Sequence, residues 1–210
     1  MYSPRYTGGM LRCAITDGTA SRFVNAVQIH RLRNRVQRWA ADGIELIQLR
    51  EKDLEAGALF QLAEAAMQML REMQSPAKLF INGRADVAIA ARAHGVHLTS
   101  RADELTPQQI RELYMHGGMP TPIVSISCHT PADIARARHN AADFILFGPV
   151  FEKRVDGELV TEGVGLEALS LACAVAQQVP VLALGGITAQ NSAVCLAAGA
   201  MGVAGIRTFL

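Results

Sequence analysis

Residues 123–147 read IVSISCHTPADIARARHNAADFILF. The stretch opens on an aliphatic run (123–127), passes through Thr130-Pro131, and closes on a second aliphatic run (144–147). Thr before Pro is a helix start. The hydroxyl takes up free N–H groups of the first turn, and Pro sits where its missing N–H is not needed. Runs this short and this apolar suit strands buried on both faces. The stretch therefore predicts one strand–helix–strand unit with parallel strands.

The same alternation extends in both directions. Upstream runs are Leu11 to Thr16 (LRCAIT), Ile44 to Leu49 (IELIQL), Lys78 to Asn82 (KLFIN) and Gly95 to Leu98 (GVHL). Downstream runs are Val181 to Leu184 (VLAL) and Gly202 to Ile206 (GVAGI). Between them, Leu32, Val36, Trp39 and Ala40 share one helical face, and Leu59, Leu62, Ala66, Leu70 and Met73 share another. Thr106-Pro107 repeats the helix start, and Thr188 is placed to cap the helix after the seventh run. Gly43, Gly95 and Gly199 stand where a helix ends before the next strand.

Eight strand–helix units without a composition break predict an α/β fold, a single (β/α)8 TIM barrel over residues 1–210. The rival, an open doubly wound sheet, usually carries a glycine-rich loop after its first strand. Here that place reads Thr16-Asp17-Gly18-Thr19. Only Arg207 to Leu210 follow the eighth run, so the last helix is expected to be short or missing. The N-terminal segment or a partner subunit is then expected to cover the gap.

Composition narrows the function class. The chain has 210 residues, 50% of them hydrophobic and 19% charged, which excludes disorder. A net charge of +1 disfavours a general nucleic-acid or membrane-surface binder. The four cysteines form no CxxC pair, and no pair has zinc-ligand spacing. The first residues lack a signal peptide's long apolar core, and no stretch is long and apolar enough to span a membrane. The reading is a cytoplasmic protein with reduced thiols, a homo-oligomer acting on a small molecule, with no nucleic-acid or membrane partner.

In such barrels the reactive groups lie at the C-terminal ends of the strands. Those ends carry Asp17, the run Gln48 to Lys52, Asn82 and Arg84, Thr99 and Ser100, Ser127 to His129, Gly148, Gly185-Gly186, and Ile206-Arg207. Gly185 and Gly186 admit a phosphate close to the backbone, with Thr188 opening a helix behind them and Arg207 adding charge. They equally suit a tight strand-to-helix turn. Alternation turns Gln48 and Arg50 to one face, where Arg50 meets either a substrate anion or an internal carboxylate. Histidine is the default proton shuttle at neutral pH, so His129 is a candidate for that role, or is a surface histidine beside the Thr130 cap. Cys128 and His129 are adjacent, so their side chains diverge, which argues against a nucleophile dyad. His30, His116 and His139 fall on helical stretches, and His94 and His97 read as structural or solvated. Asn82 is either a substrate hydrogen-bonder or a rim bond to backbone.

Read together, QLREK (48–52), LFINGR (79–84), GVHL (95–98), SISCHT (125–130), FILFGPVF (144–151), LALGGIT (182–188) and the closing GAMGVAGIRTF resemble the thiamine phosphate synthase / TenI family. The resemblance runs in order over nearly the whole chain and implies a (β/α)8 barrel in thiamine biosynthesis. The synthase branch joins a pyrimidine pyrophosphate to thiazole phosphate, with Mg²⁺ neutralising the leaving group. Its strand-three motif has Asp where this chain has Gly83, and its G-Q-x-D loop corresponds to Thr99-Ser100-Arg101-Ala102. Asp103 stands one residue late. The threonines of its P-T-x-T-K loop are absent from Phe151-Glu152-Lys153-Arg154. A hard cation wants oxygen ligands, chiefly carboxylates.

The TenI branch is more similar. Its N-G-R and L-F-G-x-V-F-E patterns match Asn82-Gly83-Arg84 and Leu146 to Glu152. The resemblance implies a thiazole tautomerase, which moves a proton from ring C2 of a carboxythiazole phosphate to its exocyclic carbon without metal or cofactor. It places His129 as the catalytic group. Gln48, Arg50, Lys52, Asn82 and Gly148 would hold the ring and carboxylate, and Gly185, Gly186, Ile206 and Arg207 the phosphate. Lys52 is a synthase-like departure, and Arg207 replaces a small residue common in the family.

Overall fold

A computed structural model describes residues 9–18, 24–99, 101, 103–155 and 158–209, with 153–155 given by their backbone. The chain alternates as the sequence predicts: β1 (Leu11–Ile15), α1 (Ala26–Ala41), β2 (Leu46–Leu49), α2 (Ala56–Glu72), β3 (Lys78–Asn82), α3 (Ala85–Ala90), β4 (Gly95–Leu98), α4 (Pro107–His116), β5 (Ile123–Cys128), α5 (Pro131–His139) and β6 (Phe144–Phe147). A hairpin of β7 (Lys153–Val155) and β8 (Glu158–Thr161) follows, then α6 (Gly165–Ala176), β9 (Val181–Leu184), α7 (Ser192–Ala197) and β10 (Gly202–Gly205).

Eight of these strands close into a barrel in the order β1-β10-β9-β6-β5-β4-β3-β2. Every pairing in it is parallel, and β1 closes on β10 through Leu11↔Gly202 to Ala14↔Gly205. Alternation along each strand makes two cores. Inside the barrel lie Leu11, Cys13, Ile15, Leu46, Phe80, Ile123, Phe144, Leu146, Leu182 and Ala204. Phe80 and Phe144 meet edge-on there, with ring centroids 5.4 Å apart. Outward-facing residues such as Ile47, Leu79, Val96, Val124, Ile145 and Val203 pack against the helices.

Three helices begin where a side-chain cap directs. Thr106 and Thr130 form capping boxes with Gln109 and Asp133, each followed by Pro. Asn25 does the same for α1, which buries Leu32, Val36 and Trp39 as read from the sequence.

Four expectations need correction. The second run starts at Leu46, because Ile44 still bonds back to the Trp39 carbonyl at the end of α1. The first and last runs end one residue early, at Ile15 and Gly205. The β7–β8 hairpin was not expected, since its short, polar strands escape a search for aliphatic runs. Thr188 does not open a helix. It trades hydrogen bonds with Asn191, and α7 starts at Ser192.

Turns through Phe209 follow β10, with no helix there among the described residues, as expected. Phe209 packs on the outer core, and its carbonyl accepts from Trp39 Nε1 at 2.8 Å. The expectation that the N-terminal segment covers this side falls on residues 1–8, outside those described. Among the described residues no helix is long and apolar enough to cross a membrane.

Candidate active site at the C-terminal mouth of the barrel

The upper interior is polar on one side only. Gln48 on β2, Asn82 on β3, His97 on β4, and Ser125 and Ser127 on β5 alternate with the residues that face the helices. Across the barrel stand Leu184 at the end of β9 and Ile206 just beyond β10, which pack on the inner core. A ligand in this mouth meets hydrogen-bonding groups along one edge and aliphatic groups along the other.

Gln48 is 2% exposed, and its Nε2 has no hydrogen-bond partner among the described residues. A buried amide donor left unmatched costs free energy, and an acceptor on a ligand would supply what the fold withholds. Arg50 starts just above it, its backbone N–H held by the Thr16 hydroxyl at 2.8 Å. Asn82 is half-buried, and its side chain makes no hydrogen bond among the described residues, so the rim-bond reading has no support. Lys52 is exposed on the turn beyond β2.

His97 lies in this wall, a role the sequence did not reveal. Its Nδ1 and Nε2 stand 2.8 Å from the Ser125 and Ser127 hydroxyls. Burial, and secondarily the Arg50 charge, push its pKa down to about 3, so the ring is neutral across the working range. The signal was present in GVHL, whose alternation puts His97 on the interior face. His94, by contrast, is structural: its Nδ1 accepts from the Leu79 N–H at 3.1 Å.

His129 stands at the rim, one strand repeat above Ser127. Its Nδ1 is 2.6 Å from the Gly148 carbonyl. A carbonyl only accepts, so Nδ1 carries the proton and Nε2 of the neutral ring keeps its lone pair. The His129 backbone is fixed by Asp133, whose Oδ2 accepts from the N–H groups of His129 and Thr130 at 3.1 and 3.0 Å. Burial works to raise the Asp133 pKa, but the donors from His129, Thr130 and Arg136 outweigh it and hold the carboxyl below its ordinary value. Cys128 points the other way, into the outer core, where burial lifts its thiol to about 12. The divergence expected of this neighbouring pair is what the fold shows.

The anion reading at β9 and β10 rests on backbone. Gly185 and Gly186 have φ of +96° and +63°, a conformation that glycine adopts without strain. A Cβ on either would stand within 2.6 and 2.7 Å of Pro149 Cα and Phe151 Cβ respectively. The N–H groups of Gly185, Gly186, Ile187, Ile206 and Arg207 meet no acceptor among the described residues. Such runs of free N–H groups make anion-binding concavities. The helix dipole drops out of the argument, because α7 is short and begins four residues beyond Thr188. Arg207 is exposed and forms no ion pair among the described residues.

The residues at the matching positions do not suit a Mg²⁺ ion. Gly83 has no carboxylate to offer, and the Asp103 carboxylate is exposed and paired with Arg101 at 2.7 Å. Glu104 stands nearer, its Oε1 3.7 Å from where a Cβ on Gly83 would lie. Its other oxygen is taken by the Thr99 N–H and hydroxyl. Among the described residues no three of His, Cys, Asp or Glu come together as a metal cluster. Ser100 and Ala102 fall outside the described residues.

Comparison with known proteins adds an independent line. The model of the thiamine monophosphate synthase family matches residues 14–209. A putative thiamine-phosphate synthase of Geobacter sulfurreducens is 41% identical over 174 residues, covering 81% of this chain and 75% of that protein. A thiamine-phosphate synthase of Chlorobium luteolum is 34% identical over 192 residues, covering 91% and 81%. Among solved structures, thiamine phosphate pyrophosphorylase from Pyrococcus furiosus superposes with a TM-score of 0.71 at 26% identity, covering 94% of this chain and 85% of that one.

Proposed function

The chain belongs to the thiamine monophosphate synthase family, and from that premise we propose that it is the family's proton-transferring member, a thiazole tautomerase acting on a carboxythiazole phosphate. One observation carries the choice of chemistry. The Gly148 carbonyl fixes the proton on His129 Nδ1 and leaves Nε2 as a base at the mouth. In the proposed reaction Nε2 removes the proton from ring C2. The electrons of that C–H bond form a double bond within the ring, the ring double bond they displace moves one bond along, and the exocyclic π pair takes the proton back from the imidazolium as a new C–H bond at the exocyclic carbon. Atoms and charge balance without a leaving group.

The remaining residues have binding roles. The Gln48 amide and Arg50 suit the carboxylate, Asn82 and the Ser127 hydroxyl suit the ring edge, and Leu184 and Ile206 suit its methyl side. The free N–H groups at Gly185–Ile187 and Ile206–Arg207 suit the phosphate. Lys52 and Arg207, both exposed, act at longer range on an anionic substrate.

A second reading follows from the relatives, which are named thiamine-phosphate synthases. On that reading the protein condenses a pyrimidine pyrophosphate with thiazole phosphate, and a divalent cation would neutralise the pyrophosphate. Gly83, and the commitments of Glu104 and Asp103, argue against it.

A paired assay with and without Mg²⁺ separates the two. One arm follows aromatisation of freshly made non-aromatic carboxythiazole phosphate. The other follows thiamine phosphate formation. Metal-independent aromatisation, lost by about 10²–10⁴-fold in His129→Gln with thiazole phosphate still bound, is the expected result. Mg²⁺-dependent thiamine phosphate would establish the synthase instead, and activity in neither arm would leave a phosphate-ligand-binding barrel without catalysis.

A further inference from the structure

The loop after β9 presents its N–H groups because something holds its carbonyls. The Gly185 carbonyl accepts from the Phe151 N–H at 3.1 Å. The Gly186 carbonyl accepts from Asn191 Nδ2 at 2.9 Å, and Asn191 Oδ1 takes the Thr188 N–H at 2.8 Å. The Ile187 carbonyl accepts from the Thr208 hydroxyl at 2.9 Å. Three successive carbonyls are thus committed; of the N–H groups that share their peptide units, those of Gly186 and Ile187 meet no acceptor among the described residues, while that of Thr188 goes to Asn191. Within one planar peptide unit the C=O of a residue and the N–H of the next point in opposite directions, so the held carbonyls of Gly185 and Gly186 fix the N–H groups of Gly186 and Ile187.

Two further observations show that this arrangement is built. Asn191 stands at the N-cap position of α7 yet makes no capping bond, because its amide is spent on the loop. Thr208 reaches Ile187 by lying against Gly205, where a Cβ would come within 2.0 Å of the Thr208 hydroxyl oxygen. Any larger residue at 205 would push Thr208 away. The segment carrying Thr208 is itself tied down one residue later, by Trp39 Nε1 on the Phe209 carbonyl.

We propose that Asn191 and Thr208 are positioning residues: Asn191 clamps the Gly186 carbonyl and so aims the Ile187 N–H, and Thr208 braces the peptide that follows it, so that the loop holds the N–H groups of Gly186 and Ile187 ready for the phosphate of the substrate. The inference rests on the phosphate reading given above. Neither side chain touches substrate. Each acts by removing the loop's freedom to turn its carbonyls toward an anion, which would repel it.

The test uses the full chain, with inorganic phosphate as the binding probe and the carboxythiazole phosphate as substrate. Thr208→Val removes the hydroxyl at nearly constant volume, Thr208→Ser restores it, and Gly205→Ala displaces Thr208 without touching it. Loss of one hydrogen bond of this kind corresponds to about a five-fold change. Thr208→Val and Gly205→Ala are expected to weaken phosphate binding and raise KM by about that factor. In both, kcat at saturation should hold, as should turnover of the substrate's dephosphorylated analogue. Thr208→Ser should behave as the parent.

Unchanged phosphate affinity in both variants would overturn the clamp while leaving the phosphate reading intact. An equal loss with the dephosphorylated analogue would also overturn it, since a merely structural residue acts on both substrates alike. A parent protein that binds no phosphate and does not distinguish the two substrates would overturn the phosphate reading and the clamp together. Should Thr208→Val fail to fold, Gly205→Ala and Asn191→Ala carry the same readouts.

Discussion

Gln48 and His97 are both polar residues sealed inside a barrel, and their energetics differ. The His97 ring is satisfied at both nitrogens by serines, whereas the Gln48 amide leaves a donor unmatched. An unmatched buried donor costs about 1–3 kcal/mol. Gln48→Leu is therefore expected to raise stability by about 1 kcal/mol, read from a urea midpoint, while weakening binding of the carboxylate-bearing substrate about ten-fold. A variant that loses stability and keeps its affinity would show that Gln48 serves packing alone. The histidines also show how far a sequence reading reaches at this scale. His129 was legible because it follows a strand and precedes a helix cap. His97 was not, because its meaning depends on Ser125 and Ser127, which arrive from a neighbouring strand through a parallel register that sequence spacing does not state.

At the scale of elements, α5 positions the proposed base. Its first turn holds Asp133, whose carboxylate gathers the N–H groups of His129 and Thr130, and Thr130 returns a bond to the Asp133 N–H at 3.1 Å. Removing the Thr130 hydroxyl with Thr130→Val should cost about 1 kcal/mol of stability. Because Asp133 still holds the His129 backbone, kcat should fall less than ten-fold. Thermal unfolding and steady-state rates on the same preparation check both, and a collapse of kcat with stability unchanged would move Thr130 into the reacting machinery. The Thr-Pro signals for α4 and α5 were legible because capping is local chemistry. The start of α7 was not, since the Thr188 and Asn191 side chains take up each other's N–H groups and the Asn191 amide is spent on the Gly186 carbonyl, so the helix begins only at Ser192. The β7–β8 hairpin escaped because its strands pair only with each other and owe nothing to the barrel's apolar pattern.

The molecule as a whole should lose stability in acid for a reason visible in its wall. Burial pushes His97 down to about 3 and His94 to about 4, helped by Arg50 and Lys78 respectively. In the unfolded chain both return to about 6.5. The unfolded state then binds protons that the folded state refuses, so stability is full above about pH 6.5 and falls as pH drops toward 4 and 3. Asp143, raised by burial despite its bonds to Val124 and Arg111, opposes this at the acid end with the reverse sign. Urea midpoints measured from neutral to mildly acid pH should show the decline, and His97→Asn should make it shallower. An unchanged slope in that variant would place its cause elsewhere.

The sequence by itself determined the barrel, the caps of α4 and α5 and the rim position of His129. All three follow from local rules: the apolar period, the chemistry of the first helical turn, and the rule that loops after strands carry function. Tertiary structure alone decided which polar groups are left unsatisfied. Among the described residues the Gln48 Nε2 lacks a partner and the loop after β9 has free N–H groups, and the carbonyls of that loop are held from Asn191 and from Thr208, twenty-one residues away from Ile187. A hydrogen bond depends on two atoms meeting within about 3 Å, and only the closed barrel brings those atoms together.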